Sequence, residues 1–491
     1  MIVENTHLKP KVLCIIVTWN KKEYVMNLLN SLSSIDYPRE CLDIIVVDNA
    51  SSDGTGEALK SAYPYIHLIE NSENLGGTGG FNTGLAWAFE KPDNAYEYLW
   101  LLDNDVLVHQ KTLNELVKLL EEKKDAAIAG STMMQLDCPW RVNEIGAYVS
   151  KGDGSLVLNH HAKEIKAWQG MPINDLLSED PDLSKHIMHV HSYMDVDYVA
   201  AASLLIRYKV AKQAGLWLDF FIHYDDVEWC MRVAAMGYRV LVSSRSLIWH
   251  MSAAAKVPTW VVYYDCRNMM TVMRNHYGMD HAILGAGKKV LKSALYYGLM
   301  GKPELMDLAL DGLNDSVINK LGSRKFNIDI KYRSSDAIES IFDDTSIKRV
   351  LIPWTVNLDA VKIREALVKA RIKRPDIHFD FMTFPGGRVE HQFPRSDFIM
   401  VPKLFPFRYY SYYKLRKRYD LVFQSDYQPV IALSWINAAI VFINDEGFFK
   451  RSAPKGTEFI TAVKKVWNRN SWIRSILKKR KCYSKECVSK E

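Results

Sequence analysis

Cysteine is scarce and shows no pairing pattern: seven residues stand at 14, 41, 138, 230, 266, 482 and 487. An odd, scattered set argues against a disulfide framework and fits reduced thiols. Cys482 and Cys487 have the spacing of half a zinc site, but neither a second pair nor a histidine cluster accompanies them. The opening MIVENTHLKP lacks an apolar leader, and no run reaches the roughly 18 to 20 apolar residues that cross a bilayer, so the machinery is expected in the cytoplasm. Charge of one sign is also scarce. Against 63 Lys and Arg stand 57 Asp and Glu, a net +6 over 491 residues, which gives no reason to expect nucleic acid as a partner. Internal repeats and low-complexity linkers are lacking as well.

What is present is 48% apolar and 24% charged, enough for two or three cored domains. Val12 to Thr18 (VLCIIVT) and Leu42 to Val47 (LDIIVV) are β-branched, unbroken apolar runs, as buried parallel strands require. With strands near 66–70 and 98–102 and helices near 23–32, 56–62 and 81–89, the order is β-α-β-α, which predicts an open, mostly parallel sheet. Residues 286–345 read as a helical connector. From Arg349 the alternation resumes through RVLIPW, a helix over 359–370, HFDFMTF, DFIMVP, DLVFQS, a helix near 430–438 and AIVFIN, a smaller α/β domain over 346–455. Asp426 and Asp445 end strands there without forming a motif. The expected division is therefore 1–285, 286–345, 346–455 and a tail over 456–491.

Ligands of parallel sheets bind beyond the carboxyl ends of the strands, and Asn20, Asp48, Asn74 and Asp103 fall there. Single polar turn residues of this kind also cap helices, so each alone has an ordinary explanation. VVDNASSDGT (46–55) offers a carboxylate and small polar groups able to accept hydrogen bonds from a base and ribose. NLGGTGGFNTGL (74–85) packs five glycines into nine residues before a helix, letting backbone approach a diphosphate at the helix N-terminus. Its spacing does not match the Gly-x-Gly-x-x-Gly dinucleotide turn. YLWLLDNDV (98–106) delivers Asp103 and Asp105 into a turn, hard ligands suited to Mg²⁺ or Mn²⁺. FFIHYDDVEWCMR (220–232) clusters Asp225, Asp226 and Glu228 at a helix start. Mutual repulsion there raises a carboxyl pKa toward general-base work, although acidic residues also suit a helix's first turn. IWHMS (248–252) sets a histidine among apolar neighbours, where a hydrogen-bonded core role is the plainer reading.

Taken in order, TWN, VVDNASSDGT, NLGGTGGFNTGL, LLDNDV, HYDDVEWCMR and IWHMS resemble the inverting GT-A glycosyltransferases of family 2 type, over about residues 10–280. NLGGTGGF and YYDCRN (263–268) are similar to the bacterial galactofuranosyltransferase and rhamnosyltransferase branch, which builds cell-surface polysaccharides. The resemblance implies a GT-A, Rossmann-like catalytic domain. It implies nucleotide-sugar binding by Thr18, Asn20, Asp48, Asn74, Gly76, Gly77, Gly79, Gly80, Asp103 and Asn104. Asp103, Asp105 and His250 would be metal ligands for Mn²⁺ or Mg²⁺, and Asp226 the catalytic base, with Asp225 and Glu228 as acceptor-orienting groups or rival bases. Trp19 departs mildly from the tyrosine many relatives carry. UDP-galactofuranose or dTDP-rhamnose is the expected donor, and a growing, lipid-linked glycan the expected acceptor. A non-catalytic nucleotide- or glycan-binding relative, or a nucleotidyltransferase, would keep the aspartates but has less use for the later base cluster.

Lys464 to Lys481 (KKVWNRNSWIRSILKKRK) interleaves eight basic residues with Trp467, Trp472, Ile473, Ile476 and Leu477. On a helix this predicts an apolar stripe beside a cationic face, the pattern of a peripheral anchor on an anionic membrane surface. A solvated charged tail is the simpler alternative. Oligomeric state is not legible from the sequence.

Overall fold

The computed structural model describes residues 9–251, 259–326, 338–353, 356, 361–383, 397–402, 404, 407–415, 417–425, 430, 433, 438–444, 447–451 and 456–488. Most of the helix expected near 430–438, all but residues 430, 433 and 438, lies outside the described residues, as do the strand-end acids Asp426 and Asp445 and Ser252. The side chains of Cys482 and Cys487 lie outside them too. The five cysteines whose side chains are described are free thiols.

The chain divides into two units, of which the first comprises Met1–Ser252, Arg267–Gly287 and Asn314–Lys325. Its elements begin with β1 (Val12–Thr18), α1 (Lys22–Ser33), β2 (Leu42–Asp48), α2 (Thr55–Ala62), β3 (His67–Glu70), α3 (Gly76–Phe89), β4 (Tyr98–Asp103), β5 (Val106–Val108) and α4 (Thr112–Glu122). They continue with β6 (Ala126–Gln135), β7 (Val142–Glu144), β8 (Ala147–Val149), β9 (Leu156–Leu158), α5 (Ile173–Leu176), β10 (Tyr193–Asp195), β11 (Ser203–Arg207), α6 (Tyr208–Ala214) and α7 (Asp225–Ala235). β12 (Arg239–His250), α8 (Val261–Tyr277) and α9 (Met279–Ala282) follow.

The main sheet runs β10-β12-β6-β11-β4-β1-β2-β3, with β5 paired to β12 and β7 to β6. β1 to β4 are mutually parallel where they pair, so Thr18, Asp48 and Asp103 end neighbouring strands at the same edge. β11 then enters antiparallel between β4 and β6, making the sheet mixed. Alternation decides the faces: Val12, Cys14, Ile16, Val46, Trp100 and Leu102 join Leu28 and Leu29 of α1 and Leu116 and Leu120 of α4 in one buried cluster. Each fully buried leucine there contributes about 1.5–3 kcal/mol. Trp100 can be buried because its Nε1 donates to Ser203 Oγ at 3.0 Å.

One expectation is corrected. The glycine-rich segment is not a loop leading to a helix at Phe81, because α3 already begins at Gly76. Glycine is a poor helix former, and close packing on the sheet compensates. A Cβ on Gly80 would stand 2.3 Å from Val17 Cγ1, so a bare Cα lets α3 lie directly on β1. Gly80→Ala should therefore lower stability by about 1–3 kcal/mol through overpacking. Urea denaturation reads this, and an unchanged midpoint would mean that α3 shifts freely.

The second unit comprises Ala253–Cys266, Lys288–Leu313 and Phe326–Glu491. The later elements are α10 (Lys288–Leu299), α11 (Pro303–Val317), β13 (Arg349–Pro353), α12 (Val361–Lys373), β14 (His378–Thr383), β15 (Asp397–Met400), α13 (Phe407–Lys414), β16 (Leu421–Ser425), β17 (Ala439–Asn444), β18 (Gly447–Arg451) and α14 (Gly456–Val488). Six strands form a sheet in the order β15-β14-β13-β16-β17-β18, parallel except for the last hairpin. α14 packs on α10, where Gly298 admits Ala462.

Candidate active site

The turn after β4 and the far end of β12 meet because β12 pairs antiparallel with β5, setting His250 opposite Val106. Ligand atoms of Asp103, Asp105 and His250 accordingly gather within 4.8 Å of one another. His250 Nε2 stands 3.0 Å from Asp105 Oδ1. Two carboxylates and an imidazole are a donor set suited to a divalent cation, with the nitrogen favouring Mn²⁺ over Mg²⁺. Between the two acids, Asn104 Nδ2 donates to Thr18 Oγ1 at 2.9 Å, tying the turn to the end of β1.

The strand-end turns are themselves cross-linked. Asp48 Oδ1 accepts from the Ser51 N–H at 2.9 Å. Asn20, at φ 49°, accepts from the Ser52 N–H at 2.7 Å and donates its own N–H to Ser51 Oγ at 2.9 Å. Asn74 Oδ1 accepts from the Gly76 N–H at 2.8 Å. Asn49, which sequence reasoning passed over, holds these turns together. Its Nδ2 donates to Asn74 Oδ1 and Gly76 O, and its Oδ1 accepts from Asn71 Nδ2 and the Leu75 N–H. All four hydrogen-bonding positions of a buried amide are thus filled. Gly76 has φ +74°, and a Cβ there would meet Phe221 O at 2.1 Å. Gly79 abuts Leu75, whereas Gly77 faces open space.

The three acids at the start of α7 have different surroundings. Asp225 is buried and accepts from Thr78 Oγ1 at 2.6 Å, which joins the first turns of α7 and α3. Burial pushes its carboxyl up. For Glu228, burial is outweighed by His276 and Arg232 beside it, which hold the carboxyl below its ordinary range. Arg232 clasps both its oxygens. Asp226 alone has only backbone donors, the Ala201 N–H at 3.2 Å and the Val227 N–H at 2.7 Å. Burial, then the charge of Asp225 and more weakly that of Asp103, push it up to about 7. A carboxylate so poised is a competent general base.

The loop aiming α7 is unusual: Phe221, His223 and Tyr224 all have positive φ. Two residues of the YYDCRN segment hold it. Fully buried Arg267 donates from Nη2 to Phe220 O at 2.8 Å, and Asn268 Nδ2 reaches Ile222 O at 2.8 Å and His223 O at 2.9 Å. A buried, side-chain-satisfied set of carbonyls fixes a backbone that would otherwise relax. Glu144 on β7 is a further missed acid. Burial pushes it up to about 7 against the opposing influence of His250, and nothing in its local sequence marks it.

Residues 13–160 match the family model for glycosyl transferase family 2. The galactofuranosyltransferase GlfT2 of Mycobacterium tuberculosis is 26% identical over 230 residues, 46% of this chain and 35% of that protein. GlfT2 of Mycolicibacterium smegmatis is 24% identical over 287 residues, 57% of this chain and 43% of that one. The chain thus spans less than half the length of both curated relatives. Among solved structures, the mannosyltransferase PcManGT from Pyrobaculum calidifontis, in complex with GDP-Man and Mn²⁺, overlaps 64% of this chain and 88% of its own, at 16% identity and TM-score 0.37. Through the domain that starts at β1, the chain is thus similar to glycosyl transferase family 2 over residues 13–160, and it resembles the galactofuranosyltransferase branch.

Proposed function

We propose that the chain is an inverting hexosyltransferase that moves galactofuranose or rhamnose from a nucleotide-sugar donor, UDP-galactofuranose or dTDP-rhamnose, to a hydroxyl of a lipid-linked cell-surface glycan. The observation that carries this reading is the meeting of Asp103, Asp105 and His250, with the charge of Asp103 acting on the near-neutral carboxyl of Asp226. The names of the mycobacterial relatives support galactofuranose.

Asp103, Asp105 and His250 would hold Mn²⁺ or Mg²⁺. When bound, such an ion offsets charge on the leaving diphosphate. Asp226 takes the proton from the acceptor hydroxyl as that oxygen bonds to the anomeric carbon. The bond from this carbon to the diphosphate oxygen breaks, and the nucleoside diphosphate leaves with the electron pair. One displacement from the opposite face inverts the centre. Thr18, Asn20, Asp48 and Asn104 line the base and ribose side. The N-terminus of α3 serves the diphosphate through Gly77, which faces open space, while Asn74, Gly76, Gly79 and Gly80, expected to bind the donor directly, instead shape and pack the turn that presents it. Asp225 and Glu228 position α7. A panel of nucleotide sugars tests the reading, with metal-dependent release of UDP or dTDP as the readout in the presence of a lipid-linked oligosaccharide. Absence of release from every donor would favour a binding protein.

The same reading includes a peripheral membrane contact through α14. No helix among the described residues is long and apolar enough to cross a membrane. On α14, Phe459, Val463 and Trp467 follow at four-residue spacing and are 41%, 38% and 69% exposed, beside exposed Lys464 and Lys465. Ile473, expected in the apolar stripe, is buried instead. Full-length protein should float with anionic liposomes, and Val463→Glu/Trp467→Glu should lose most of that binding. Equal flotation of the two proteins would dismiss the contact.

A further inference from the structure

In the second unit's sheet, His378 and Asp380 occupy alternate positions of β14 and so project from one face, while Asp397 opens the edge strand β15. The parallel register sets Asp380 directly against Asp397. Like charges so paired across neighbouring strands destabilise a sheet unless something positive lies between them.

Ligand atoms of His378, Asp380 and Asp397 lie within 4.8 Å of one another. His378 Nε2 is 2.9 Å from Asp380 Oδ1 and 3.1 Å from Asp397 Oδ2. Metal–ligand bonds of about 2.0–2.1 Å put adjacent ligand atoms about 2.8–3.0 Å apart at octahedral angles and about 3.3–3.4 Å apart at tetrahedral ones, a range that includes this spacing.

A second observation points the same way. Asp380 is 1% exposed, and its two oxygens differ. Oδ2 accepts from Tyr419 Oη at 2.5 Å and from Arg349 Nη2 at 3.1 Å. Oδ1, aimed into the cluster, has no hydrogen-bond partner; His378 Nε2 lies near it without the alignment of a hydrogen bond. A buried carboxylate oxygen left without a donor is costly, and a cation satisfies it. Tyr419 and Arg349 then act as outer partners that orient the carboxylate.

We propose that His378 Nε2, Asp380 Oδ1 and Asp397 Oδ2 form a second metal site, for a divalent transition cation of the Zn²⁺ class. Two carboxylates and an imidazole suit a dication, and the nitrogen selects against Mg²⁺ and Ca²⁺. The side chain of Asp397 is 71% exposed and that of His378 37%, so water reaches the open coordination positions. The ion clips the edge strand β15 to β14.

The test uses the full chain with the first site silenced by Asp103→Asn/Asp105→Asn/His250→Ala. After chelator treatment and dialysis, Zn²⁺ is titrated by calorimetry, and Co²⁺ is followed by its visible absorption. One equivalent of Zn²⁺ should bind this background and raise its melting temperature. Adding His378→Ala should weaken binding about 100-fold or more, and adding Asp397→Asn about 10- to 100-fold. Asp397 is exposed on an edge strand, so its variant decides the matter if the His378 variant fails to fold. No stoichiometric binding in the background, or binding unchanged by Asp397→Asn, would overturn the proposal and leave a histidine lying between two acids. Because no glycosyl transfer is read, this outcome is independent of the proposed activity.

Discussion

Asp226→Asn should reduce glycosyl transfer by about 10²- to 10⁴-fold, the usual contribution of a positioned general base, while leaving donor binding near normal. The argument rests on the difference among three neighbouring acids. Asp225 is tied to Thr78 and Glu228 to Arg232, whereas Asp226 has only two backbone N–H partners. Transfer by wild type should rise with pH through the titration of Asp226, which burial and Asp225 push up to about 7. A cation held at Asp103 opposes one of the causes of that shift, so the acid limb should move lower as metal is added. Near-normal turnover by the variant would dismiss Asp226 as the base.

The same substitution should stabilise the fold. The native pKa is raised above that of the unfolded chain, so the carboxyl's favourable contribution is complete below about pH 4 and lost as pH rises through about 7. At pH 8 wild type bears the cost of an ionised, partly buried and desolvated carboxylate and the asparagine variant does not. Urea unfolding at pH 8 should therefore show a gain of about 1–3 kcal/mol that shrinks toward pH 4. The same stability difference between variant and wild type at both pH values would show that the carboxyl is not desolvated.

Removal of the cation should be as severe. Chelation, or Asp103→Asn with Asp105→Asn, should cut turnover by about 10²- to 10⁴-fold, since a Lewis acid at a leaving diphosphate is worth several kcal/mol. Mn²⁺ should restore the chelated wild type and not the variant. Asparagine keeps the side-chain volume, and the Asn104–Thr18 hydrogen bond that closes the turn is untouched, so circular dichroism should be unchanged. Full activity of wild type in excess chelator would remove the metal from the scheme.

The first four strands were legible because each is an unbroken apolar run, and their observed limits fall within about one residue of those expected. β6 was not. AAIAGSTMMQ is buried throughout, yet its small and hydroxylated residues carry no strand period, because Ser131 and Thr132 find partners only in the folded sheet. The start of α3 was missed for a related reason, since glycines that disfavour an isolated helix are those that let this one touch β1. At the site, Asp103 and Asp105 were readable from a strand running into a turn. Their union with His250 depends on the β5–β12 pairing, and such non-local register is invisible in a local pattern. The roles within Asp225, Asp226 and Glu228 were left open because the partners that separate them, Thr78 and Arg232, act through tertiary and helical geometry.

The β5–β12 pairing also sets a timetable. Asp105 and His250 are joined by register but separated by most of the domain's sequence, and Asp226 too comes after the segment 13–160 that carries the family match. At a synthesis rate of about 5–20 residues per second, the two aspartates leave the ribosome roughly seven to thirty seconds before the histidine. Under the proposed function, a nascent chain in that interval holds an acidic turn with no imidazole and, until Asp226 is made, no base, so it would neither complete the ligand set nor spend a donor. On that reading, competence to react would arrive with β12, the last long strand of the sheet.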